Sequence, residues 1–126
     1  MNFAAIAPSI IALSGGIGGA KLALGLNQSM PSEKLMIVAN IGDDFEHFGL
    51  KISPDLDTLM YTLSGKADSE KGWGLADESW AFMQSMKTLG GDTWFQLGDK
   101  DLATHLERTR RLSEGESLAE ITNYFC

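Results

Sequence analysis

The sequence contains one cysteine, Cys126, and it is the last residue. An internal disulfide is thereby excluded, and a reducing compartment, the cytoplasm, is the expected setting. Basic residues are scarce. Ten Lys and Arg stand against 17 Asp and Glu, for a net charge of -7, and the one basic cluster is Arg108, Arg110 and Arg111. Nucleic acid and anionic membrane both need a basic face, so neither is expected as a partner, and an anionic substrate would require a cation or backbone amides. Long apolar runs are missing too. The run FAAIAPSIIAL is broken by Pro8, has no basic residue ahead of it, and reads as neither signal peptide nor anchor. There is no internal repeat or low-complexity linker, and the longest polar stretch, Gly65 to Gly72, reads as a loop.

What is present fits one soluble globular domain over residues 1–126, with 44% hydrophobic and 21% charged residues. Ser9 to Leu13 (SIIAL) is a short β-branched apolar run followed at once by Ser14, Gly15 and Gly16, which predicts a buried parallel strand. A helix is expected from about Gly18 to Gln28, with Ala20, Leu22, Ala23 and Leu26 on one face, and then a second strand over Lys34 to Ala39. This β-loop-α-β order builds a parallel sheet, and ligands of such sheets gather outside the carboxyl ends of the strands. Further on, Thr58 to Leu63 reads as helical. Asp77 to Leu89 reads as a helix capped by Asp77, with Phe82, Met86 and Leu89 on one face and Gly90 as its stop. Asp99 is expected to cap a helix whose buried stripe is Leu102, Leu106, Thr109 and Leu112, closed by Gly115. Ser117 and Glu120 form a capping box for a last helix.

Two stretches carry chemistry. The first, SGGIGGAK, puts four glycines between a strand and a helix, where backbone amides and the helix dipole suit an anion, phosphate above all. It departs from known fingerprints. The dinucleotide pattern wants a third glycine where Lys21 stands, and a Walker A loop wants Gly-Lys-Ser/Thr where Ala20, Lys21 and Leu22 stand. Glycines needed only for strand-to-helix packing are the alternative, and Lys21 is read as a first-turn residue within reach of a phosphate or in solvent.

The second stretch, NIGDDFEHFGLKISPDLDT from Asn40 to Thr58, concentrates carboxylates. Like charges held together need a counter-ion, and Asp43, Asp44, Asp55 and Asp57 are hard oxygen donors of the kind that Mg²⁺ takes alongside water and substrate phosphates. The plainer use is a solvated loop for Asp44 and Glu46, and a cap at Asp55 for a helix beginning near Asp57 and Thr58. His47 sits in this loop, where an isolated histidine is more often a packing residue than a base. His105 lies on the apolar side of its helix, as a satisfied core histidine would.

Taken in order, SGGIGGAKLALGL, NIGDDFEHFGLKISPDLDTLMYTL, GWG and LGGDTWFQLGDKDLATHLERTRRL resemble the N-terminal half of the 2-phospho-L-lactate transferases, enzymes of coenzyme F420 biosynthesis. The resemblance runs from Ile10 to about Thr122, and PDLDT with WFxLGDxDLAxHxxRT is far more specific than a glycine loop. It implies an α/β fold, a Rossmann-like parallel sheet with flanking helices. It also implies Mg²⁺-dependent transfer of a phospho-acid group, of the phospholactate or phosphoenolpyruvate type, from a guanylylated diphosphate to the deazaflavin alcohol Fo, with release of GMP. The partners it implies are these small molecules and a second copy of the chain in a homodimer.

By the same resemblance Gly15, Gly16, Gly18 and Gly19 match the glycine loop at the nucleotide end, with Lys21 beside them. Asn40, Asp43 and Asp44 match an NTxDD motif, while Asp55 and Asp57 match PDLDT. The implied metal set is Asp43, Asp44, Asp55 and Asp57. Asp43 and Asp57 form the catalytic pair, Asp57 lying nearest the Fo hydroxyl as a general base. Asp99, Asp101, His105 and Arg108 match LGDxDxAxHxxRT in a pocket-wall and phosphate-contact role, and Gln96 stands beside them where a basic residue is frequent. Ile17 and Gly19 replace the threonines common in the loop. Members of the family are more than twice as long, so the chain is expected to correspond to the N-terminal part of a longer domain. Its last helix would then expose Leu118, Ile121 and Phe125, and these residues alone would have weak or no activity. The competing reading is a nucleotide- or metal-binding regulatory module related to the gluconeogenesis-factor family, which shares the glycine loop and the DD motif but is disfavoured by PDLDT and LGDxDLATH.

Overall fold

A computed structural model describes residues 8–126, so the apolar run beginning at Phe3 lies partly outside the described residues. Among the described residues no helix is long and apolar enough to cross a membrane. The chain is α/β and divides into two compact units.

The first unit runs to Asp44 and resumes over Ser53–Lys66. It holds strand β1 (Ile10–Ser14), helix α1 (Gly16–Ser29), strand β2 (Leu35–Ala39) and helix α2 (Pro54–Leu63). β1 and β2 pair in parallel, Ile10 opposite Leu35 and Ser14 opposite Ala39, with α1 as the crossover. This is the expected β-α-β unit of a Rossmann-like fold. The alternation of the strands sends Ala12 and Ser14 inward, while Ala20 and Ala23 of α1 and Leu59 of α2 form a small core with Ile37, Ala39 and Leu63. Small residues at the helix contact let α1 lie close. Leu22, placed on the apolar face from the sequence, is instead exposed. The burial expected for β1 is also met on one face only: Ile11 is 61% and Leu13 79% exposed, because alternate side chains of a strand point to opposite faces and only one face here meets a helix.

The second unit comprises Phe45–Ile52 and Ala67–Cys126. A hairpin of β3 (Phe45–His47) and β4 (Leu50–Ile52) pairs Phe45 with Ile52, Glu46 with Lys51 and His47 with Leu50. Its two-residue turn, Phe48 (φ 52°) and Gly49 (φ 72°), lies in the left-handed region that tight hairpins require. Helices α3 (Ala81–Thr88), α4 (Asp99–Ser113) and α5 (Leu118–Phe125) complete it. Ile52, Met83 and Leu97 form the core, with Phe45, Phe82, Phe95 and Leu102 packed around them.

Three helix expectations are corrected here. α3 begins at Ala81 rather than at an Asp77 cap, Asp77 having φ 52°, and its buried residue is Met83 while Leu89 is 82% exposed. In α4 Leu102 packs against the core and His105 is buried, both as expected, but Arg108 is buried too and Leu106 is 60% exposed, so the stripe assigned to Leu106 is taken by polar residues. The capping box of α5 is present as read, Ser117 Oγ accepting from the Glu120 N–H, but Ile121 is fully buried rather than exposed. The α5 face also carries Tyr124, whose ring lies 3.6 Å beneath the Arg111 guanidinium.

Candidate functional site

The first unit brings the glycine loop, Asn40, Asp43 and Asp55 into one hydrogen-bonded network. α1 starts at Gly16, two residues earlier than the spacing suggested, so Lys21 lies in its second turn and is exposed. The first-turn N–H groups of a helix have no intrahelical carbonyl to bond, and they carry the positive end of its dipole. One of them is taken by a carboxylate: Gly16 N–H donates to Asp55 Oδ1 at 2.8 Å. Gly19 has a packing reason to be glycine, since a Cβ there would lie 2.8 Å from Ser14 Oγ and 3.1 Å from the Ser14 backbone. Gly18 has none, because a Cβ there would meet open space. The glycines therefore serve two purposes, close strand packing at Gly19 and an open approach to the helix start at Gly18.

Asn40, at the carboxyl end of β2, is the hub. Its Nδ2 donates to Asp43 Oδ2 at 2.9 Å and to Asp55 Oδ2 at 2.7 Å, and its Oδ1 accepts the Gly42 N–H at 3.0 Å. Both amide hydrogens and the carbonyl are used, which fixes the amide orientation and holds the two carboxylate oxygens no farther apart than the sum of those two bonds. Asp44 joins through Ser53, whose hydroxyl donates to its Oδ2 at 2.9 Å. Ser53 was not singled out from the sequence, where a serine before Pro54 reads only as a helix cap.

Asp44 Oδ1 is buried and has no hydrogen-bond partner, and none of Asp43, Asp44 and Asp55 has an ion-pair partner among the described residues. Asn40 draws Asp43 and Asp55 together without a counter-charge, and Asp44, bonded through Ser53, has one oxygen removed from water with nothing to bond, which costs free energy unless a cation or another donor supplies the missing partner. The donors are all hard oxygens, which fits Mg²⁺. Asp57 stands apart from Asp55 on α2. Two residues further along, it is turned about 200° around the helix, and only 4% of it is exposed.

In the second unit the residues matched to LGDxDLATHxxR are tied into the fold. Asp99 does not cap its own helix. Its carboxylate accepts the Ser79 hydroxyl at 2.7 Å and the N–H groups of Ala81 and Phe82 at 3.0 and 2.9 Å, so it caps α3. Those donors, the Phe82 N–H foremost and then Ser79 and Ala81, hold its carboxyl below the ordinary range. Glu78 returns the arrangement, accepting the N–H groups of Lys100 and Asp101 at the start of α4. His105 is satisfied, its Nε2 3.0 Å from Asp101 Oδ2 and its Nδ1 3.4 Å from Arg108 Nη1, and both His105 and Arg108 are buried. Gln96 is exposed, its amide donating to the Thr93 carbonyl at 2.8 Å. His47 is a buried packing residue whose ring lies 4.0 Å from that of Phe48.

The family model described as 2-phospho-L-lactate transferase CofD matches residues 10–126. A phosphoenolpyruvate transferase from Kitasatospora aureofaciens is 49% identical over 119 residues, which cover 93% of this chain and 37% of that protein. One of the same name from Streptomyces coelicolor is 46% identical over 118 residues with the same coverage. The Mycobacterium tuberculosis phosphoenolpyruvate transferase is 44% identical over 131 residues, 93% of this chain and 40% of that protein. The chain thus spans little more than a third of the length of these relatives.

Proposed function

The chain belongs to the 2-phospho-L-lactate transferase CofD family, and on that premise we propose that it carries the nucleotide-side, metal-dependent part of a phospho-acid transfer in coenzyme F420 biosynthesis. The observations behind this reading are the bond from the first N–H of α1 to Asp55, the bridging of Asp55 and Asp43 by Asn40, and the buried oxygen of Asp44 that has no partner. A phosphate approaching the open start of α1 at Gly18 meets favourable amides and the Asp55 carboxylate, whose repulsion a bound divalent cation would offset.

The reaction is displacement at phosphorus. The Fo hydroxyl oxygen attacks the phosphorus that bears the phospho-acid, a P–O bond forms, the P–O bond to GMP breaks, and the hydroxyl proton passes to a base. Such chemistry is mostly positioning and neutralisation of developing charge. In this reading Asp43, Asp44 and Asp55 would hold Mg²⁺, which would supply neutralisation of charge on the phosphate oxygens, while Asp57, turned to the other side of α2, is left to proton transfer. Gly18 leaves the backbone open to the diphosphate, Lys21 adds a cation one turn further, and Asn40 keeps Asp43 and Asp55 together. Asp57, shielded from bulk water, takes the hydroxyl proton. A homodimer follows from the family resemblance. The names of the relatives favour phosphoenolpyruvate over lactate as the acid carried.

The test is a chimera in which residues 10–126 replace the matching stretch of the Kitasatospora relative, assayed for GMP release with Fo, guanylylated donor and Mg²⁺. GMP release that falls at least roughly a hundredfold in Asp57→Asn, as loss of a general base predicts, supports the reading. A folded chimera whose Asp57→Asn form releases GMP at the unaltered rate sinks the assignment of the base.

A further inference from the structure

The second unit carries a groove that uses no residue of the carboxylate cluster. It has a volume of about 430 Å³ and is lined by Trp80, Met83, Gln84, Lys87, Thr93 and Gln96. That volume lies within the range of roughly 300–1,000 Å³ usual for small-molecule sites. Four of the six lining residues stand at positions i, i+3, i+4 and i+7 of one helical face, Trp80 preceding α3 and Met83, Gln84 and Lys87 lying within it.

The floor is apolar and held in place. Met83 is buried in the core, while the Trp80 ring has the Lys71 ammonium 4.7 Å from its centroid and the Trp73 ring edge-on at 6.5 Å. Asp99 pins the first turn of α3 through its bonds to Ala81 and Phe82. A floor already ordered in the free protein lowers the entropy lost on binding. The rim is polar. Lys87 is exposed and has no ion pair among the described residues, in a chain whose net charge is -7. The Gln96 amide donates to the Thr93 carbonyl at 2.8 Å, which fixes it and leaves its oxygen as an acceptor. Apolar floor, lone ammonium and adjacent hydrogen-bonding groups describe one kind of guest.

We propose that this groove binds a small flat ring bearing one anionic group, an aryl phosphate or aryl carboxylate, the ring on Trp80 and Met83 and the anion at Lys87. A charge-assisted contact of this sort is worth roughly a factor of ten in affinity. The experiment follows the indole N–H signal of Trp80, assigned with Trp80→Phe, while phenyl phosphate, benzoate, phenol and inorganic phosphate are titrated separately into the purified 126-residue chain. Lys87→Met and Asp55→Asn are run in parallel, each checked by melting temperature. The expected result is a saturable shift with phenyl phosphate or benzoate, about tenfold weaker in Lys87→Met and unchanged in Asp55→Asn, with phenol binding more weakly and ignoring Lys87→Met. The proposal is overturned if neither ring anion moves Trp80 saturably, if Lys87→Met binds as tightly as the parent, or if inorganic phosphate binds as well as phenyl phosphate. Retention in Asp55→Asn separates this groove from the phosphotransfer reading, which can fail or stand independently of it.

Discussion

Carboxylates stand beside helix starts in both units, but their bonding differs. In the second unit Asp99 accepts three donors from the start of α3 and its approach, and Glu78 accepts two N–H groups from the start of α4 besides that of Ser79. These side chains are spent on the fold. In the first unit Asp43, Asp44 and Asp55 share a single asparagine amide, one serine hydroxyl and one glycine N–H, and Asp44 Oδ1 has no partner. Acidic residues read alike along the sequence; their hydrogen-bond accounting separates carboxylates that cap a helix from carboxylates left with unmet bonding capacity.

The comparison can be broken most forcefully at the glycines. Gly19→Ala pushes a Cβ onto the Ser14 backbone and is expected to destabilise the first unit by about 1–3 kcal/mol, read as faster hydrogen exchange across β1 and α1. Gly18→Ala, with open space above it, should instead stabilise α1 by about 0.5–1 kcal/mol and still weaken binding of Mg²⁺ with GDP in a calorimetric titration. Loss of stability at Gly18 would mean that its glycine serves packing and not ligand approach.

A second pair of variants sharpens the contrast between carboxylates. Asp99→Asn should raise hydrogen exchange at Ala81 and Phe82, whose N–H groups lose a charged acceptor. Asp44→Asn should leave the exchange of α2 unchanged or slower, because it removes a poorly partnered charge, while abolishing any stabilisation by Mg²⁺. If both variants loosen the fold equally, the two carboxylate sets are alike and the distinction fails.

The smallest effect concerns acid. Glu107 is lowered from its ordinary 4.5 to about 2 by hydrogen bonds from Arg110 and then Arg111. Because the folded value is depressed, its contribution is fully present above 4.5 and is lost as the pH falls from there towards 2. Hydrogen exchange at the end of α4 should rise over that interval, modestly, since the pair is partly exposed and screened by salt. No change there would show that the network around Glu107 does not hold that turn.

The β-α-β unit was legible because SIIAL and KLMIVA are continuous β-branched runs and Gly15 and Gly16 mark the turn between the first strand and its helix. The hairpin over Phe45–Ile52 was not, because its turn places Phe48 in a left-handed conformation usually reserved for Gly, Asn or Asp. The start of α3 was misplaced because its cap comes from Asp99, eighteen residues away, and local sequence holds no trace of a tertiary cap. On α4 Leu102 and His105 were placed on the inward face correctly, but Leu106 was not, because buried Arg108 breaks the link between hydrophobicity and burial on which periodicity depends. At the candidate site Asn40, Asp43, Asp44 and Asp55 were all singled out from the sequence; the structure links Asn40, Asp43 and Asp55 at the α1 N-terminus and bonds Asp44 to Ser53. Ser53 was missed because a hydroxyl bonded to an aspartate nine residues away leaves no spacing pattern.

The most direct test of the central claim is calorimetric titration of GDP into the folded 126-residue chain with and without Mg²⁺, repeated with Asp55→Asn. The account predicts binding that requires Mg²⁺ and is weakened by Asp55→Asn. GDP binding of equal strength without the metal, or none in either condition, would contradict the claim that these aspartates and the glycine loop together form a cation-dependent phosphate site.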